Sequence, residues 1–256
     1  MENALIQEMY QRQDHHWWFQ GRARIVATLI GRYAPRSPER AGRPLRLCDI
    51  GCGTGANLRM LADLGQVWGV EPSEDAIQLA RRVAEADIRL GGLPDALPFT
   101  DERFDVITLT DVLEHVEQDL ASVRRCAELL APGGVVVATV PAYQWLWTHH
   151  DEHHSHYRRY TLGSLRKLFQ RAGLKVELAS YCNSLLFPLM LTTRVAARVR
   201  QGGRRSYSAL RLPWGPVNRA LRSVFGSERH LLSFARLPFG GSVVCVARAP
   251  QSPPGS

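Results

Sequence analysis

Two stretches of this sequence hold residue types whose spacing can do chemistry. The first is Leu47-Cys-Asp-Ile-Gly-Cys-Gly-Thr-Gly55, placed where an apolar run meets a helical one. Glycines at 51, 53 and 55 permit positive φ and let a ligand approach the backbone without meeting Cβ atoms. The N–H groups that open the following helix then face that ligand. About twenty residues on, Glu71 closes the next apolar run, where a carboxylate can accept both hydroxyl protons of a ribose. Together they indicate a nucleoside-containing ligand. A pyrophosphate site uses G-x-G-x-x-G, whereas the spacing here is G-x-G-x-G behind Asp49. A carboxylate in that place repels a pyrophosphate and suits a sulfonium with an amino-acid tail, whose ammonium needs an acceptor. Two alternatives stay open: a nicotinamide-dependent oxidoreductase, and a non-catalytic module that binds a nucleotide or nucleic acid.

The second stretch is Trp145-Leu-Trp-Thr-His-His-Asp-Glu-His-His-Ser-His-Tyr-Arg-Arg-Tyr160. It follows the fifth expected strand, at the sheet edge where open α/β folds bind ligands. His150, His154 and His156 with Asp151 are candidates to take a proton from an acceptor hydroxyl or amine. Imidazole and carboxylate also suit zinc or iron, but no H-E-x-x-H spacing is present, and no metal is expected. The plainer alternative is a hydrated polar loop.

The elements that must position these residues follow from periodicity. From Leu45 short apolar runs alternate with amphipathic ones, which indicates a parallel sheet covered by helices. Strands are expected at Leu45–Ile50, Val67–Val70, Asp87–Leu90, Phe104–Leu109, Val135–Val140, Lys175–Tyr181 and Ser242–Arg248. Leu130-Ala-Pro-Gly-Gly134 should break a helix and turn the chain into the fifth strand. Thr161 is an expected N-cap, with Gly173 ending its helix. Residues 1–35 read as helical, with the block His15-His16-Trp17-Trp18-Phe19 preceding the apolar face. The fold class is therefore α/β, a doubly wound Rossmann-like sheet, mostly parallel with an antiparallel last strand. Residues 1–44 form a helical cap and linker, 45–182 and 236–250 the core, and 183–235 a helical insertion over the active-site edge.

Asp49-Ile-Gly-Cys-Gly-Thr-Gly55, Gly69-Val-Glu-Pro-Ser73, Leu97-Pro-Phe99, Phe104-Asp105, Asp111-Val-Leu-Glu-His115 and Leu130-Ala-Pro-Gly-Gly134 resemble, in order, the motifs of class I S-adenosylmethionine-dependent methyltransferases. The resemblance covers residues 45–181 and is to the ubiquinone/menaquinone-type and type 11 branch. The segment from Pro141 to Thr161, the block His16-Trp17-Trp18-Phe19 with Arg22 following, and Leu237-Pro-Phe-Gly-Gly-Ser242 extend it to a bacterial subgroup. It implies transfer of a methyl group to an O, N or C nucleophile of a small-molecule or lipid-like acceptor, with S-adenosylhomocysteine as product. Asp49, Gly51, Cys52, Gly53 and Gly55 would surround the methionine part, and Glu71 and Pro72 the ribose. Gly92-Leu-Pro-Asp95 lacks the branch's acidic residue in Gly-Asp-Ala, so Asp95 would contact adenine from two residues later. Asp111 and Val112 would floor the transfer site. Trp17, Trp18, His115, Tyr143, Tyr157 and Arg158 would meet the acceptor.

A net charge of +8 invites a nucleic-acid reading. The excess lies late, in Arg194, Arg198, Arg200, Arg204, Arg205, Arg211, Arg219 and Arg222, without zinc-finger spacing, RNA-binding aromatics or a lysine-rich arm. Nucleic acid is thus not the expected partner. Attraction to a phosphate-bearing substrate or peripheral contact with an anionic membrane fits as well. The apolar Leu185-Leu-Phe-Pro-Leu-Met-Leu191 just before these arginines supports the latter. Five dispersed cysteines, no apolar h-region and no membrane-spanning run fit a cytoplasmic protein, a monomer or homodimer.

Overall fold

The computed structural model describes residues 2–35, 42–193 and 212–251. Arg194 to Arg211, parts of the expected linker and the C-terminal tail lie outside the described residues. Seven strands, β1 (Leu45–Ile50), β2 (Gly65–Glu71), β3 (Asp87–Leu90), β4 (Phe104–Thr110), β5 (Leu130–Pro141), β6 (Lys175–Cys182) and β7 (Ser242–Arg248), form one sheet. Their order is β3-β2-β1-β4-β5-β7-β6. The first five pair in parallel, and β7 runs antiparallel between β5 and β6. The central strands are buried on both faces, which is why they read as continuous apolar runs.

The helix before β5 ends at Leu129, and Leu130-Ala-Pro-Gly-Gly134 carries the chain into the strand, with Gly133 at φ 71°. β5 itself starts earlier than the expected Val135, at Leu130, which pairs with Phe104 ahead of a register shift.

Helices cover both faces: α1 (Glu2–Gln13), α2 (Trp17–Tyr33), α3 (Leu58–Ala62), α4 (Glu74–Ala80), α5 (Asp119–Leu129), α6 (His149–His153), α7 (Leu162–Arg171) and α8 (Gly215–Leu231). Residues 187–193 are also helical. Thr161 caps α7 in a reciprocal capping box with Ser164. The N-terminal helical region is two helices. His16 caps the second through Nδ1, which accepts from Trp18 N, so the tryptophans open α2 ahead of its apolar face. α2 lies along α8, with the Phe225 ring against Gly21, where a Cβ would clash. No helix among the described residues is long and apolar enough to cross a membrane. All five cysteines are free thiols and buried.

Candidate active site

The carboxyl ends of β1, β4 and β5 open into a cavity of about 550 Å³. One wall is the glycine turn. Gly51 N and Cys52 N donate to Val70 O at 2.8 and 3.1 Å, tying the turn to β2. Gly51, Gly53 and Gly55 all have positive φ (74°, 55° and 93°). A Cβ on Gly51 would meet Val112 Cγ2 at 2.6 Å, so the turn and the end of β4 require glycine there. A Cβ on Gly53 would meet nothing within 4 Å. That space is where the backbone can receive a ligand.

The carboxylates around the turn are layered. Asp49 is fully buried and does not line the cavity. Its Oδ1 accepts from Thr108 Oγ1 at 2.5 Å. Burial pushes its pKa up to about 6, against the pull of the Thr108 hydroxyl, the Arg22 charge and the Asn57 amide. It lies behind the cavity lining, where direct contact with a ligand was expected of it. Glu71 accepts from Gly53 N at 2.9 Å and Ser73 N at 3.2 Å, next to the turn but not among the residues lining the cavity. Burial raises its pKa, and those two amides pull it back. Pro72 packs against Gly92, while Asp95 is exposed at the tip of the 92–96 turn. Cys52 lines the cavity as a neutral thiol, its pKa raised by burial and by Asp49 and Glu71.

Across the cavity, α2 contributes Trp17, Trp18, Phe19 and Arg22. Arg22 Nη1 bonds to Asp111 Oδ2, and its guanidinium lies 4.4 Å from the Trp18 ring centroid. Asp111 itself sits at φ 55°, a left-handed conformation uncommon outside glycine, and its Oδ1 accepts from Thr139 Oγ1 at 3.2 Å. Gln13 and Thr54 exchange two hydrogen bonds, joining the end of α1 to the glycine turn. Asn57 donates to Thr110 Oγ1 at 2.8 Å, joining α3's entry to β4. Of these, sequence reasoning noted Arg22 only as a neighbour of the aromatic block and missed Gln13, Asn57 and Thr110. A polar residue at helical spacing from a buried face was the available signal.

The histidine stretch forms the far wall, and one buried carboxylate organises it. Asp151 accepts from Thr148 N (2.7 Å), Thr148 Oγ1 (3.0 Å), Arg159 Nε (2.7 Å) and Arg159 Nη2 (3.0 Å). It also pairs with His156 Nδ1 at 2.9 Å. Burial alone would raise its pKa, but His156, Arg159 and the Thr148 amide hold it well below the usual carboxylate range. Asp151 is thus fully buried, lies off the cavity lining and holds the His156 ring through Nδ1. His154, His156, His115 and Arg159 line the cavity. The His115 and His156 rings meet edge to face at 4.5 Å. Burial, then the neighbouring histidines, lower the pKa of both His115 and His154. His150 lies in α6; its side chain is outside the described residues.

Glu114, also lining the cavity, is buried with no hydrogen-bond partner for Oε2 among the described residues, and burial followed by Asp111 raises its pKa strongly. Glu114, His115 and His156 each bring a donor atom to within 4.8 Å of the others, a grouping able to share a cation that no linear spacing announced. Asn183, at φ 56°, adds to the cavity lining a buried Oδ1 without a partner among the described residues.

Three residues expected to meet the acceptor lie off the cavity. Tyr143 stacks on Tyr181 at 4.9 Å, and burial followed by Tyr181 pushes its pKa up to about 12. Tyr157 is exposed and donates its backbone N–H to Glu114 O at 2.7 Å. Arg158 pairs with Asp119 at 3.0 Å and donates to Glu117 O. In each case a local partner captures the side chain or its backbone.

Residues 10–179 match a family described as a methyltransferase domain. The chain is 38% identical over 107 residues to a ubiquinone biosynthesis O-methyltransferase of Bradyrhizobium sp. (strain ORS 278), covering 40% of this chain and 42% of that one. It is 39% identical over 121 residues to the Methylocella silvestris protein of the same description, covering 45% of each. The matched stretch thus spans less than half the length of either relative. Its fold resembles that of a Haloferax volcanii protein solved in complex with the Trm112 methyltransferase activator, with a TM-score of 0.60, 20% identity, and 98% and 95% of the two chains covered.

Proposed function

The chain belongs to the methyltransferase domain family, and on that premise we propose that it transfers the methyl group of S-adenosylmethionine to a nucleophile on a small-molecule or lipid-like acceptor. The observation that carries this reading is one continuous cavity with the glycine turn at one wall and the histidine stretch at the other.

The residues present fit the cofactor. The open space over Gly53 suits a ligand lying on the backbone. Asp49, with Oδ2 unpartnered among the described residues beneath the wall, suits a cationic ligand. Gly51, Cys52, Gly53, Thr54 and Asn57 would hold the methionine part, and Glu71 beyond the turn the ribose. The cofactor supplies a methyl group already activated on a sulfonium, so the protein's work is alignment and exclusion of water. Trp17, Trp18 and Phe19 close the cavity from α2. Arg22 fixes the Asp111 carboxylate and compensates its charge.

For the acceptor, His156 is the proposed proton acceptor. Asp151 engages its Nδ1, which makes Nε2 the basic nitrogen and favours the imidazolium formed on proton uptake. Arg159 and Thr148 hold Asp151 and thereby His156. Leu186, Leu189, Met190 and Leu221 give the cavity an apolar arm suited to a lipid-like tail. The relatives' name, ubiquinone biosynthesis, is consistent with such an acceptor. Exposed Leu185, Leu189 and Trp214 support peripheral membrane contact, and buried free thiols a cytoplasmic location.

Calorimetry with S-adenosylhomocysteine, NAD and NADP tests the cofactor assignment. Micromolar binding of S-adenosylhomocysteine alone is expected. Binding of a nicotinamide dinucleotide in its place would overturn the assignment.

A further inference from the structure

α2 and α8 carry a cluster of arginines that the proposed reaction does not use. Arg24 on α2 lies across Gly226 of α8: a Cβ at Gly226 would meet Arg24 Cδ at 3.1 Å and Nη1 at 3.4 Å. The glycine is thus what makes room for the arginine stem. Gly226 sits between Arg222 and Arg229, one turn away on either side. Both are close enough that, after burial, their charges lower the pKa of Arg24.

Nothing on these two helices neutralises the cluster. α2 has no acidic residue. The one acid of α8, Glu228, is buried and accepts from Ser184 N at 2.6 Å and Leu185 N at 2.8 Å. Among the described residues no carboxylate forms an ion pair with Arg24, Arg222 or Arg229. Arg229 Nε reaches only the ring of His230. Arg222 Nε is a buried donor without an acceptor among the described residues. Such a donor needs an acceptor, which water or a bound anion supplies. By contrast Arg22, two positions from Arg24, turns into the cavity and finds Asp111. The two arginines therefore serve opposite sides of α2.

We propose that Arg24, Arg222 and Arg229 form a binding site for a phosphate-type oxyanion, separate from the methyl-transfer cavity. Guanidinium groups present planar N–H pairs that match phosphate oxygens, and three around one notch fit a doubly charged group. Such an oxyanion would accept from Arg222 Nε and relieve the mutual repulsion of the three cations. Two sources share this chemistry, a free phosphorylated metabolite and the headgroups of an anionic bilayer.

The test is NMR of the arginine Nε–H groups in the full-length wild-type protein. Inorganic phosphate is titrated at constant ionic strength, with chloride as the control for screening. Co-sedimentation is run in parallel with phosphatidylcholine vesicles with and without roughly one-third phosphatidylglycerol. Saturable shifts at Arg24, Arg222 and Arg229 with phosphate and not chloride are expected. The pair R222Q and R229Q should weaken binding about tenfold or more, while R171Q at the end of α7, on the opposite face of the sheet, should not. Phosphate binding without vesicle binding assigns a free metabolite; binding to the anionic vesicles, lost in R222Q/R229Q and kept in R171Q, assigns headgroups. Shifts that do not saturate, or match those with chloride, together with no vesicle binding or vesicle binding weakened equally by R171Q, overturn the site. The wild-type titration stands whether or not the paired variant folds.

Discussion

Arg22 donates from Nη1 to the carboxylate of Asp111, joining the second helix to the end of the fourth strand across 89 positions of sequence. Both side chains are largely buried, and both line the cavity. The pair therefore ties closure of the cavity by α2 to the conformation of its floor. Asp111 is held at positive φ, a strained backbone conformation that the surrounding contacts must hold in place.

Removing one member of such a pair leaves the other charged and poorly solvated. Arg22→Met is expected to cost about 3 kcal/mol of stability and most of the activity. Arg22→Lys should restore part of the stability but not the planar contact with Trp18. Chemical denaturation beside cofactor titration separates the two effects.

Gly51 and Gly53 should respond differently to alanine. Gly51→Ala meets both positive φ and Val112, and should destabilise by about 2 kcal/mol. Gly53→Ala meets only the φ cost, about 1 kcal/mol, but places a methyl in the open space over the turn. It should weaken cofactor binding more than it weakens the fold. Equal loss of stability in the two would contradict the roles given to them.

Asp49 sets a pH dependence with a definite sign. Its pKa in the fold, about 6, lies above the ordinary 3.8, so the folded protein binds this proton more tightly than the unfolded chain. Its contribution to stability is present below the ordinary value and is lost as pH rises through about 6. A cationic ligand favours the ionised form, so its affinity should rise over the same interval and level off above it. Asp49→Asn should bind more weakly and lose that rise, as read by calorimetry between about pH 5 and 7.5.

Asp151 acts at one remove from the acceptor. Asp151→Asn should lower kcat by about a hundredfold with little change in KM, and cost about 3 kcal/mol by leaving Arg159 without its counter-charge. His156→Gln should match the loss in kcat at smaller cost in stability. Activity should also survive chelators. Loss of activity in EDTA, restored by a divalent cation, would instead make Glu114, His115 and His156 ligands.

The parts legible in the sequence are those fixed by near neighbours. β1, β3 and β7 fall at their expected bounds, and Thr161 caps its helix, because each depends on local periodicity or a cap. The glycine turn was legible because its φ angles demand glycine whatever surrounds it. The Arg22–Asp111 and Gln13–Thr54 contacts join residues 89 and 41 apart and leave no spacing to read. Tyr143, Tyr157 and Arg158 lie off the cavity because residue type names their chemistry while Tyr181, the backbone of Glu114 and Asp119 fix where they sit. Asp151 carries the same lesson. A carboxylate among histidines suggested catalysis, yet its hydrogen bonds make it an anchor.

A crystal structure with S-adenosylhomocysteine is the most direct measurement of the central claim. The expected result is the amino-acid tail against Gly51 to Asn57, with the sulfur facing Asp111 and His156 across the cavity. A ligand bound elsewhere, or a turn between Gly51 and Gly53 that accepts a pyrophosphate instead, would contradict it.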